Sequence, residues 1–202
     1  FMRNDLDSEY WRLSSARWDQ IKVPMYSVGN WGGFSMHLRG NTEGFMNAAS
    51  KHKKLRIHTG THFHPFHAEE GRMDQLRWFD HWLKGIDSGI LDEPPLAVYV
   101  RDWHPPGPYL EHVPGRWRWE SGWPPERIEQ RELFPGPDHD LSHQRPAEGV
   151  HRLRNLPSTG VEGGGPVMWW GDVAPDQRPT DAYSLVYDSA PLVEDTEIRG
   201  FP

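Results

Sequence analysis

Four histidines fall within twelve residues of the chain: His58, His62, His64 and His67, in the segment RIHTGTHFHPFH at 56–67. A neutral imidazole can ligate a divalent metal, and near neutral pH it can take and return a proton, so the segment admits either chemistry. It also admits neither, as a solvated or hydrogen-bonded loop. His58 and His62 are four apart and His64 and His67 three apart, spacings that a helix would turn toward one ion. Gly60 and Pro65 interrupt any such helix, and the HExxH pattern of helical zinc sites is absent. Glu69 and Glu70 are near in sequence, but nothing in their spacing demands a carboxylate ligand, and no metal ligand is assigned. For His58, His64 and His67 the loop reading stands as an equal alternative. His62 has to be read from the elements around it.

Those elements alternate. IKVPMYSVGN (21–30) is a short apolar, β-branched run closed by Gly and Asn, and predicts a buried strand. GNTEGFMNAASKHK (40–53) predicts a helix with Phe45, Met46 and Ala49 on one face, and LRIHTG (55–60) a second strand. EEGRMDQLRWFDHWLKG (69–85) carries the strongest helical period. Met73, Leu76, Trp78, Phe79, Trp82 and Leu83 recur at i, i+3 and i+4, acids occupy its first turn, and Gly85 is a C-cap. Strand, helix, strand, helix points to the edge of a parallel α/β sheet. His62 then follows the last strand of that unit, where α/β-hydrolases carry the histidine of a Ser, Asp or Glu, His triad.

Beyond Pro94-Pro95 the pattern changes. LAVYVRDW (96–103), PGRWRWESGWPP (114–125), IEQRELF (128–134) and DAYSLVYDSAPL (181–192) read as strands between Pro- and Gly-rich connectors such as STGVEGGGP (158–166). Short strands with turn signals predict a β-sandwich or jelly roll, and 135–180 is left without elements.

Composition bounds the rest. The 202 residues include 11 Trp, hydrophobic residues are 36%, and the mean hydropathy is -0.80, which predicts an aromatic core under a polar surface. A net charge of -7 argues against a nucleic-acid partner. No apolar run reaches the ~20 residues of a membrane span, so no membrane partner is expected, and a cytoplasmic location is the default. With no cysteine, disulfides and thiolate metal sites are excluded. Phe1 and the strand-like ending EIRGFP lead us to expect a piece of a longer polypeptide.

Taken together, IKVPMYSVGNWGG, RIHTGTH, RWFDHWLKGIDSGILDEPP and DQRPTDAYSLVYDSAPLVEDTEIRG resemble the CocE/NonD hydrolases, a family that also holds cocaine esterase and the X-Pro dipeptidyl-peptidases. The resemblance implies α/β plus β: residues 1–93 as the C-terminal end of an α/β-hydrolase domain, and 94–202 as a partial jelly-roll β-sandwich. It implies a serine hydrolase acting on a small ester, amide or X-Pro peptide, with no cofactor; self-association is left open. The family's Gly-Pro-Trp-Thr-His falls on His58 to His62, so His62 inherits the role of general base. The family's Gly-Gly-Trp-Tyr-Asp falls on Gly29 to Gly33, so a glycine stands where the triad acid is expected. Glu43 and Asn30 are the candidate replacements, against structural roles as a helix-surface charge and a turn-forming residue. Trp31, in the GNWGGF loop, is a candidate to line the substrate pocket, against packing at the strand exit. None of Ser8, Ser14, Ser15, Ser27 or Ser35 sits in a Gly-x-Ser-x-Gly elbow, so the nucleophile is expected upstream of Phe1.

A different class is a non-catalytic β-sandwich module binding carbohydrate or protein, with Trp117, Trp119, Trp123 or the pair Trp169-Trp170 stacking sugars rather than packing the sandwich. On that reading Trp119→Ala releases a band retarded in polysaccharide affinity gels; an unretarded native band argues for packing.

Overall fold

The computed structural model describes residues 8–33, 37–110, 112–154, 156, 172–174, 176 and 178–200. The connector at 158–166 and Trp169-Trp170 lie outside the described residues. A short helix α1 (Glu9–Ser14) precedes β1 (Met25–Asn30), α2 (Arg39–Asn47), β2 (Lys53–His58), α3 (His64–His67) and α4 (Glu69–Lys84). Then come β3 (Leu96–Arg101), β4 (Gly107–Leu110), β5 (Gly115–Glu120), β6 (Phe134–Pro135), β7 (Asp140–Ser142), β8 (Asp172–Ala174), α5 (Arg178–Asp181) and β9 (Asp188–Ser189).

β1, β2 and β3 run parallel and β5 closes the sheet antiparallel, in the order β1-β2-β3-β5. Pro94 and Pro95 thus sit in the crossover between β2 and β3, and strands from both sides of them share one sheet. Two smaller sheets, β4-β8 and β6-β7-β9, hold the other described strands.

α2 is shorter than its sequence run. The Ala48 N–H closes on the Gly44 carbonyl, Ser50 ties the turn to His52, and the Met25 N–H bonds the His52 carbonyl to start the parallel ladder. Residues from Lys53 onward are needed as strand. The helix brings Leu38 and Phe45 onto Leu55, Ile57, Leu96, Val98 and Trp123 to form the core. Gly29 permits that approach: a Cβ there would lie 2.8 Å from Leu38 Cδ1.

The core is therefore mainly aliphatic, contrary to the tryptophan count. Of the described tryptophans only Trp78 and Trp123 are buried. Others are half-covered by long cations: Arg56 lies 4.3 Å from the ring centre of Trp117 and Lys54 5.9 Å from that of Trp119. The expected strand at 128–134 reduces to Phe134–Pro135, and that at 181–192 to Asp188–Ser189 after a helical turn at Arg178–Asp181. A strand persists only where a neighbour supplies ladder bonds, and 128–133 pairs with no described strand. β7 and β8 arise inside the stretch read as loop, because two- and three-residue ladders leave no period in the sequence.

α4 turns Trp78 onto Tyr26 of β1, ring centres 5.3 Å apart, and leaves Met73, Leu76, Phe79 and Leu83 exposed. Charge holds the helix as well. Arg56 of β2 pairs with Asp74 and Glu70, the Tyr26 hydroxyl donates to Asp74 Oδ2 at 3.1 Å, and Arg77 meets Glu93 at 2.6 Å. No helix among the described residues is long and apolar enough to cross a membrane.

The helix ends as expected. Gly85 is left-handed at φ 68°, and the N–H groups of Gly85 and Ile86 return to the carbonyls of His81 and Asp80. A Cβ at Gly85 would meet nothing within 4 Å, so Gly85→Ala isolates the backbone penalty. We expect it to lower stability in urea titration by about 1 kcal/mol.

Candidate active site

Parallel strands present their carboxyl ends on one edge, where open α/β sheets bind ligands. β1 ends at Asn30 and β2 at His58, and these two residues are register partners. The chain then makes a tight turn over Trp31–Gly33 after β1, and a loop over 59–63 leading into α3 after β2.

Asn30, buried to 1% exposure, organises this edge. Its amide nitrogen lies 3.1 Å from His58 Nδ1 and donates toward the carbonyls of Gly60 (3.1 Å) and Thr61 (3.2 Å). Its Oδ1 accepts the Gly32 N–H. One side chain thus ties the turn after β1 to the loop after β2. Gly60, at φ 79°, supplies the left-handed residue the loop needs. On the far side Thr61 Oγ1 accepts the His64 N–H at 2.9 Å and so fixes the start of α3. His62 is held between these two anchors.

The His62 ring is half-buried, edge-on to Phe63 at 5.2 Å and tilted by 33° against His37 at 5.8 Å between centres. Burial pushes its pKa below the usual histidine value, and the neighbouring His37 charge pushes the same way. Near neutral pH the ring is therefore neutral, the form that accepts a proton. Its three companions diverge: His58 faces inward to Asn30, while His64 and His67 bound α3. Among the described residues no three metal-ligating side chains converge.

The other candidates separate. Glu43 lies on α2, where its Oε2 accepts from Asn47 at 2.9 Å and its Oε1 stands 3.8 Å from Arg39 Nε. Those described partners belong to its own helix surface. Asn30 serves the loop that carries His62, with its described bonds going to the His58 ring and backbone. The Trp31 indole N–H donates to the Tyr99 carbonyl at 2.8 Å, tying the turn after β1 to β3, and its ring packs against the core. Of the sugar-stacking candidates, Trp117 lies under Arg56 and edge-on to Tyr99, and Trp123 is in the core. Ser27 accepts from Asn41 at 2.9 Å and Ser15 donates to the Trp11 carbonyl at 2.7 Å. Sequence reasoning missed His37, which no spacing motif marks; the burial of its neighbour Leu38 is what brings it to His62.

The family model of the X-Pro dipeptidyl-peptidase C-terminal non-catalytic domain matches residues 88–202. Curated proteins of Mycobacterium bovis and Mycobacterium tuberculosis, each bearing the name "Putative serine esterase", are 32% identical over 139 residues, covering 62% of this chain. The chain spans 19% of the length of those relatives. Two crystal structures of a CocE/NonD family hydrolase from Staphylococcus aureus superpose with TM-score 0.63 at 27% and 26% identity. Each superposition covers 71% of this chain and 25% or 24% of the other.

The clamp can be tested by charge. Asp at position 30 keeps the shape but cannot donate to the Gly60 and Thr61 carbonyls, and it buries an anion against them. Asn30→Asp should destabilise the protein by about 3 kcal/mol in urea titration at pH 7, more than Asn30→Ala. A residue standing in for a triad acid would instead tolerate the carboxylate.

Proposed function

This chain belongs to the family of X-Pro dipeptidyl-peptidase C-terminal non-catalytic domains through residues 88–202, and from that premise we propose that it is the histidine-bearing part of a CocE/NonD-type serine hydrolase. The substrate is a small ester, an amide or an X-Pro peptide. The observation that carries the reading is His62 on the loop leaving β2, beside β1, at the carboxyl edge of a parallel sheet. In this reading residues 1–93 are the end of an α/β-hydrolase domain and 94–202 a partial jelly roll, built together through the shared sheet. The exposed stripe Met73, Leu76, Phe79 and Leu83 suits a helix with a further layer against it, as in that fold. His62, Asn30, Trp31 and Glu43 all precede residue 88, in keeping with a non-catalytic role for the matched domain.

The serine comes from elsewhere in the longer protein. His62 takes the proton of its Oγ as that oxygen attacks the substrate carbonyl, then passes the proton to the leaving group, giving an acyl-enzyme. Water, deprotonated by the same imidazole, releases the acid. Asn30 acts at one remove, by holding the Gly60 and Thr61 carbonyls and hence the approach of the ring. Trp31 lines the edge toward β3, and the protein acts in the cytoplasm without a cofactor.

The test is His62→Ala in the full-length protein, assayed on p-nitrophenyl acetate and on an Ala-Pro anilide. Turnover should fall by about 10³-fold or more on whichever compound is the substrate, with loss of fluorophosphonate labelling. Retained turnover overturns the assignment.

A further inference from the structure

We propose that His37 is a positioning residue for His62, its imidazole held beside the His62 ring so that a proton on one opposes a proton on the other. Two independent anchors fix the pair. Leu38, with 0% exposure, plugs the core against Gly29, and this places His37 at the entrance to α2. Asn30 and Thr61 fix the loop from the other side. The ring centres come to rest 5.8 Å apart with planes inclined by 33°. At that separation, in a half-buried setting, two like charges repel appreciably, and a single charge is tolerated.

His58 is turned inward to Asn30, and His64 and His67 lie on α3. Arg39, the first residue of α2, faces Glu43 at 3.8 Å. Phe63 offers His62 a ring edge and no charge. Burial and the neighbouring His37 act on His62 in the same direction, the one that keeps His62 unprotonated. A cation on His37 holds a second proton off His62. The working range of the base is thereby extended to lower pH.

The kinetic consequence rests on His62 being the general base; the coupling of the two rings does not. The experiment is therefore NMR titration of the His62 ring in histidine-labelled full-length protein, with the signal assigned by its absence in His62→Ala. His37→Gln, at an exposed position, should move the His62 midpoint upward toward the ordinary histidine value. His37→Arg, a permanent cation, should bring it back down, and 1 M NaCl should shrink the difference. If the enzyme reading also holds, kcat/KM at pH 5.5 falls roughly twofold in His37→Gln and recovers in His37→Arg. An unchanged midpoint in His37→Gln overturns the proposal, as does an equal rise in both variants, the result a lost packing contact would give. An active His62→Ala enzyme with coupled titration would defeat the enzyme reading alone.

Discussion

The edge that carries the candidate site depends on one buried amide. Backbone ladders fix β1 beside β2, but they stop at Asn30 and His58, where both chains must leave the sheet in different directions. Beyond that point the Asn30 side chain replaces the ladder. It donates where strand N–H groups no longer reach and accepts from Gly32, so the two exits behave as one unit. A side chain with both a donor and an acceptor at its tip is required, which an ionised aspartate or a leucine would not supply. His62 and the Trp31 turn inherit their positions from it.

A second level of organisation lies on the face covered by α4. Arg56 is nearly enclosed, with its guanidinium between the Trp117 ring and the carboxylates of Asp74 and Glu70. Tyr26 shares Asp74, and burial raises its phenol to about 12, offset in part by Arg56. Lys54, equally enclosed, reaches the Ile90 carbonyl at 2.8 Å and Glu93 at 2.9 Å. Burial tends to raise the Glu93 carboxyl, but its hydrogen bonds to Lys54 and Arg77 outweigh that and hold it below the ordinary range. Its contribution to stability is thus present above the unfolded carboxylate value and is lost as pH falls through the folded one. Such pairs add little net stability once desolvation is counted, but they fix which residues of α4 meet which strand.

Much of this was legible in the sequence where periodicity is strong. The α4 run at 69–85 ends at Gly85 as its composition requires, the runs over 21–30, 96–103 and 114–125 each contain an observed strand, and 55–60 overlaps β2, which starts two residues earlier. What escaped was relational. Glu43 is close to His62 in sequence order, but the crossover turns its carboxylate along α2 to Asn47 and Arg39. The pairing of Asn30 with His58 follows from strand register, and the approach of His37 from the Gly29–Leu38 contact; neither is a local property. Tryptophan content misled about the core because the composition does not reveal that Arg56 and Lys54 would cover the indoles.

The sharing of one sheet across Pro94 and Pro95 has a consequence for how such a protein can be inherited and handled. The match to the family begins at residue 88, yet β2 is an interior strand whose Leu55 and Ile57 are register partners of Leu96 and Val98. A cut placed at that boundary would leave a raw strand edge on each fragment, with apolar residues and unpaired amides facing solvent. Exchange of this domain between genes would therefore succeed only where the recipient already ends in a parallel edge of matching register. The unit that can travel as one piece is larger than the unit that sequence kinship outlines.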